Sequence, residues 1–168
     1  AFTTEVGGEV YFRKNGFIGM FGLSNGKLNQ AVSNPETTGA SILAKLGYDG
    51  QVNEDLRLRI TGSMYSTGKS GRVYLYSADR TGSRYYLVME DTEARASSNF
   101  RSGRYNPGFD NEITAFMINP FVKYKGLEFF GTFETSSGKT DAETDNRTAT
   151  QLAGELIYRF GNNENFYL

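Results

Sequence analysis

The sequence predicts an all-β protein: an antiparallel up-and-down β-barrel of the membrane-spanning kind, with seven to eight strands in this chain. Three observations predict it. Apolar and polar residues alternate with period two from end to end, and no amphipathic helix of a dozen residues intervenes. The connections between the alternating segments are short and long in strict turn. Several segments set an uncharged, aromatic-ended face against a face holding ionised groups of both signs.

Composition supports the same class. The 168 residues suffice for one domain, 1–168, with a sizeable core. Thirteen Phe, 11 Tyr and 20 Gly against 3 Pro suit short aromatic strands joined by turns. The mean hydropathy of −0.49 is polar, and no run approaches the roughly 18 apolar residues of a spanning helix. A barrel strand needs only about 9–11 residues, every second one free to be polar. A net charge of −1 argues against a nucleic-acid partner, because phosphate binding needs a basic surface. Cys and His are both absent. That removes disulfides, thiolate ligands, the commonest zinc ligand and every Ser-His or Cys-His nucleophile. The opening AFTTEVGGEV has neither the basic nor the apolar region of a signal peptide, as expected of a mature form or of a piece of a longer precursor.

The first strand is expected over Glu5–Arg13, ending at KNG, and the second over Phe17–Leu28. A connection through SNPETT leads to the third, Ser41–Gly50, and QVNED turns the chain into the fourth, Asp55–Tyr65. In that fourth strand Leu56, Leu58, Ile60 and Met64 share one face, while Arg57, Arg59, Thr61, Ser63 and Tyr65 share the other. The fifth strand is Glu112–Lys125, and Lys125-Gly126 connects it tightly to the sixth, Leu127–Thr135. The seventh is Ala149–Gly161, and NNEN leads to a stub at Phe166–Leu168. KNG, QVNED, KG and NNEN are the short connections. Those through Asn34, Thr67–Asn111 and Ser137–Thr148 are long. Membrane barrels alternate in this way between periplasmic turns and outer loops. Tyr48, Tyr124 and Tyr158 fall near the short turns, where an aromatic girdle meets lipid headgroups.

The segment 67–111 is too long for a structureless loop. It carries Arg72, Arg80, Arg84, Arg95, Arg101 and Arg104, and its stretches VYLY and RYYLVM flank ADRTGS as a small hairpin would. Two expectations stand: the segment folds inward and narrows an enclosed space, or it lies outside with local pairing.

The runs GEVYFRKNGFIGMFGLSNG, AKLGYDGQVNEDLRLRITGSMY, NPFVKYKGLEFFGTFETSSGK and AGELIYRFGNNENFYL resemble outer-membrane porin-like barrels of Bacteroidetes-type Gram-negative bacteria. The resemblance covers most of the chain and is weakest at 67–111 and 137–148. It implies a bacterial outer-membrane location and a passive channel for small solutes or a related barrel role. The lipid bilayer and lipopolysaccharide would be its surroundings; in the alternative reading of a docking barrel, a protein partner would contact the 67–111 loop. It carries no site residue over position by position. Single-chain bacterial barrels close with an even strand number. The expectation is therefore one part of a larger barrel or, alternatively, a small closure in which the stub pairs with the first strand.

On the charged faces the candidate lumen-lining residues are Lys45, Arg57, Arg59, Lys123, Glu128, Glu134, Glu155 and Arg159. In a wide barrel they would set a transverse field and an ion preference. In an eight-stranded one they would pair and fill the interior. Glu128 and Glu134 lie about 20 Å apart along one strand, too far for joint acid–base work. Asp141, Glu143 and Asp145 alternate like a calcium loop but lack its Gly and closing Glu, which favours a solvated acidic loop. No catalytic residue, metal ligand or cofactor is assigned. A non-conducting docking barrel and a soluble β-sandwich remain the competing readings.

Overall fold

The computed structural model describes residues 5–26, 36, 38–71, 73, 75–76, 91–95, 105–161 and 166–168. The strands are β1 (Gly7–Lys14), β2 (Phe17–Ser24), β3 (Ser41–Gln51), β4 (Leu56–Thr67), β5 (Glu112–Tyr124), β6 (Leu127–Lys139), β7 (Arg147–Phe160) and the two-residue β8 (Phe166–Tyr167). Each pairs antiparallel with the next in sequence, so the sheet order is the chain order. Such a meander is what short tight turns and strong β-formers produce when every neighbour in sequence is also a neighbour in space.

The turns follow from their residues. Lys14 pairs with Phe17, leaving Asn15-Gly16 as a two-residue loop, and both of its residues have positive φ (50° and 83°). That is the type I′ geometry that Asn-Gly favours. Lys125, at φ 52°, begins the equally tight β5–β6 turn. Between β3 and β4 the Asn53 side chain accepts from the backbone N–H groups of Asp55 and Leu56, each at 3.0 Å. This is the local hydrogen bonding that makes Asn a turn residue.

Pro120 stands inside a central strand, where its missing N–H interrupts the ladder. The registers Ile118↔Phe133 and Phe121↔Phe130 continue on either side without a slip. The Asn119 side-chain amide donates to the Gly131 carbonyl at 3.3 Å and to Thr132 Oγ1 at 3.0 Å, keeping the gap satisfied.

Observed boundaries differ from those expected mainly at the long connections. β6 runs four residues further, to Lys139, and β7 begins two earlier, at Arg147, because Ser and Thr there pair across the strands. β2 ends at Ser24, as Gly26 takes a φ of 62°; positions 27–28 of the expected strand lie outside the described residues. In VYLY, Leu75 and Tyr76 form a turn rather than a strand, and RYYLVM lies outside the described residues.

The sheet is open. Among the described residues β1 pairs only with β2, and β8 pairs only with β7, so the stub does not close onto the first strand. Nor, among the described residues, does a second layer cover the leucine-bearing side, whose side chains are exposed. The buried apolar cluster is small, Val73, Phe109 and Ile113 with Tyr65, Tyr76 and Ala149 packed against it. It sits on the opposite side, under residues of the 67–111 segment.

Candidate functional site

The registers resolve the sheet into two faces. One carries Val10, Phe12, Phe17, Phe21, Leu46, Tyr48, Ile60, Phe116, Ile118, Val122, Phe129, Phe133, Leu152 and Leu156, aligned across seven strands. These side chains are exposed; Leu46 is 72% and Leu152 78% accessible. Period-two alternation in consistent register brings Lys14, Glu112 and Lys139 to this face, all at its two ends. Between them the strands carry no ionised group on this side. Tyr48, Tyr124 and Tyr158 lie toward the short turns on the same face. Edge-on ring contacts join Phe17 to Tyr48 at 5.3 Å and Tyr158 to Phe160 at 4.9 Å. Beyond the apolar rows, toward the long connections, Ser66, Thr114, Ser137 and Thr148 form a polar row.

The other face collects the charges. Lys45, Arg57, Arg59, Lys123, Glu128, Glu134, Glu155 and Arg159 all lie on it by register. Near the short turns they form bridges between strands. Arg57 grips Asp49 with two parallel bonds of 2.9 and 2.8 Å, the fork geometry that suits guanidinium to carboxylate. Glu128 accepts from Arg159 at 3.0 and 3.2 Å and pairs with Lys123 at 3.3 Å. Glu128 is thus held between β5 and β7.

Nearer the long connections this face is partly covered. Tyr76 donates to the carboxylate of Glu134, which is only 7% exposed. Burial, then the hydrogen bond to Glu134, pushes the Tyr76 phenol up to about 12. Phe109 packs edge-on against Tyr76 at 6.5 Å, and Val73 N–H donates to the Asp110 carbonyl at 2.6 Å. Val73, Tyr76 and Phe109 of the 67–111 segment therefore fold over the charged side. Beside them, Tyr76, Tyr105, Glu134 and Gln151 line a concavity of about 540 Å³. On β3 and β4, Tyr65 bonds with Ser41 at 3.1 Å and donates to Glu5 at 3.2 Å.

Asp141, Glu143 and Asp145 do not converge. Glu143 instead accepts from Arg147 at 2.6 Å and from the Thr140 backbone at 2.8 Å, and these donors, Arg147 first, hold its carboxyl down to about 2. Among the described residues no group of three acidic side chains is placed to hold a metal.

Sequence reasoning placed the eight charged residues on alternating positions but missed Asp49 as the mate of Arg57, Arg13 as a further cation, and Tyr76 as the cover of Glu134. The partner of Arg57 depends on register. The partner of Glu134 lies 58 residues away, and no local pattern encodes it. No protein-family model, curated protein or solved structure matches the chain.

Proposed function

We propose that the sheet is part of the wall of an outer-membrane β-barrel that passes small solutes through a polar lumen of mixed charge. One observation carries the proposal: the seven-strand face, which has ionised groups only at its two ends, is exposed, while Val73, Tyr76 and Phe109 of the chain's long segment pack on the charged side. A soluble sandwich does the reverse, burying its apolar face between layers and leaving its charges to water. Dimensions support the reading. The 13-residue β5 is about 43 Å long and, tilted by about 45°, would stand about 30 Å tall. That is close to the thickness of the bilayer hydrocarbon, about 30 Å. Glu112 and Lys125 at its two limits would then meet the headgroup regions. The open sheet edges would have to be paired in the membrane, because backbone groups exposed to hydrocarbon cost several kcal/mol each, an order-of-magnitude figure of roughly 4.

The full-length protein, with the sheet edges paired in a closed wall, purified in detergent and added to a planar bilayer, is expected to give steady, ohmic conductance. Silence at all voltages, or a monodisperse folded monomer in buffer without detergent, would contradict the channel. A second reading, a non-conducting docking barrel, is favoured by the Tyr76–Glu134 contact, which covers part of the charged face. It predicts membrane insertion without conductance, and a stoichiometric partner bound through 67–111.

A further inference from the structure

We propose that the charged face holds a binding site for a small oxyanion, formed by Arg13, Lys45, Arg59 and the hydroxyl of Thr61. The inference deepens the channel reading, on which it rests for its role, by naming the class of solute.

All four residues line one concavity of about 710 Å³ at the short-turn end of β1–β4. Gly47 is the centre of the arrangement. Lys45 precedes it by two positions on β3, Thr61 is its direct partner on β4, and Arg59 lies diagonal to it. Arg13 occupies the same row two strands away, through Ile18. Because Gly47 has no side chain, Thr61 packs directly against the β3 backbone, its Cγ2 in the space a Cβ at Gly47 would take.

Charge accounting favours an anion. Asp49 is the one carboxylate lining this concavity, and the Arg57 fork already takes both of its oxygens at 2.9 and 2.8 Å. Arg13, Lys45 and Arg59 make no ion pair with any described residue, in contrast to Lys123 and Arg159, which converge on Glu128. Three cations gathered without a bonded counter-charge repel one another, and a bound anion relieves that repulsion.

Thr61 supplies an independent pointer. It is 1% exposed, and its Oγ1 is a buried polar atom with no hydrogen-bond partner among the described residues. Buried hydroxyls are ordinarily bonded, and an orphaned one costs free energy. An oxyanion in the concavity would accept from this hydroxyl while the guanidinium and ammonium groups supply charge-assisted bonds. Since Arg13, Lys45, Arg59 and Thr61 all project from the side opposite the apolar face, a dissolved anion is the ligand rather than a lipid headgroup.

The test uses inorganic phosphate and the full chain in detergent, with binding followed by 31P line broadening and calorimetry. The wild-type chain is expected to bind one phosphate, and the affinity should fall as salt screens the attraction. Lys45→Gln with Arg59→Gln should weaken it by about tenfold or more, the loss of at least one charged hydrogen bond. Thr61→Val, nearly the same shape without the donor, should weaken it without altering the circular dichroism spectrum. Absence of phosphate binding by the wild-type chain overturns the site, as does unchanged affinity in the folded double variant. Bilayer recordings separate this from the channel reading. Steady conductance with no phosphate binding sinks the site alone, whereas phosphate binding that depends on Lys45 and Arg59 without conductance sinks the channel and leaves the site standing.

Discussion

Ile118→Arg distinguishes a lipid-facing surface from a watery one more sharply than any other single change. Ile118 lies midway along β5, six residues from Glu112 and six from Tyr124, opposite Gly62 on β4 and Phe133 on β6. It is 46% exposed. Were that face in water, an arginine there would extend into solvent and change stability by about 0.5 kcal/mol or less. At the middle of a bilayer the same arginine costs about 2–4 kcal/mol, the depth-dependent penalty measured for barrels. Leu58→Arg, on the same face but closer to the short turn, should cost less, because the long side chain can reach the headgroups. Gln151→Arg, exposed on the charged face beside the row of Glu134, should be nearly neutral. The assay is reversible urea unfolding in phospholipid vesicles, followed by far-UV circular dichroism because the chain has no Trp. Equal stabilities for Ile118→Arg and Gln151→Arg would refute the assignment of faces.

Other outcomes follow from the contacts. Tyr76→Phe leaves Glu134 buried without its donor, which should destabilise the covering segment by about 1–3 kcal/mol and speed hydrogen exchange around Val73 and Phe109. Arg57→Leu should fold, since an exposed Arg–Asp pair contributes only about 0.2–1 kcal/mol, but should shift the reversal potential in a salt gradient by freeing the charge of Asp49. The loop contact at Glu143 should depend on acid. Its carboxyl is lowered from 4.5 to about 2, so the contact is complete above the ordinary value and is lost as pH falls from there toward 2. NMR of the Thr140 amide across that window checks the sign, and a shift centred near the ordinary carboxyl value would contradict it.

The strands and their two faces were legible because alternation is a local signal. DLRLRITGSMY assigns its leucines and arginines to opposite sides without reference to any other segment. Likewise Asn15-Gly16 announces its turn, and the number of residues between strands fixes which ones must neighbour. Less legible were features set by distant residues. Asp49 meets Arg57 only because β3 and β4 adopt the register Gln51↔Arg57, and a shift of one residue would turn one strand's charges to the other face. The extra length of β6 beyond Thr135 was missed because Ser136, Ser137 and Gly138 have weak strand preference; pairing with β5 and β7 on both sides overrides it. Tyr76 was read as part of a short hairpin, whereas it packs on Ile113 and Phe109 and caps a buried carboxylate. The packing of Val73, Tyr76 and Phe109 from the 67–111 segment onto the charged side of the open sheet is likewise set by residues distant in sequence.

The central claim concerns which solvent each face meets, and the absence of native cysteine makes a direct measurement clean. Adjacent substitutions Leu46→Cys and Lys45→Cys point to opposite sides of β3. Each is labelled with an environment-sensitive fluorophore, and the protein is placed in vesicles whose acyl chains carry bromine quenchers. Strong quenching at position 46, with none at position 45 and rapid reaction there with a charged thiol reagent, is the predicted result; equal quenching or equal aqueous reactivity at the two positions would contradict it.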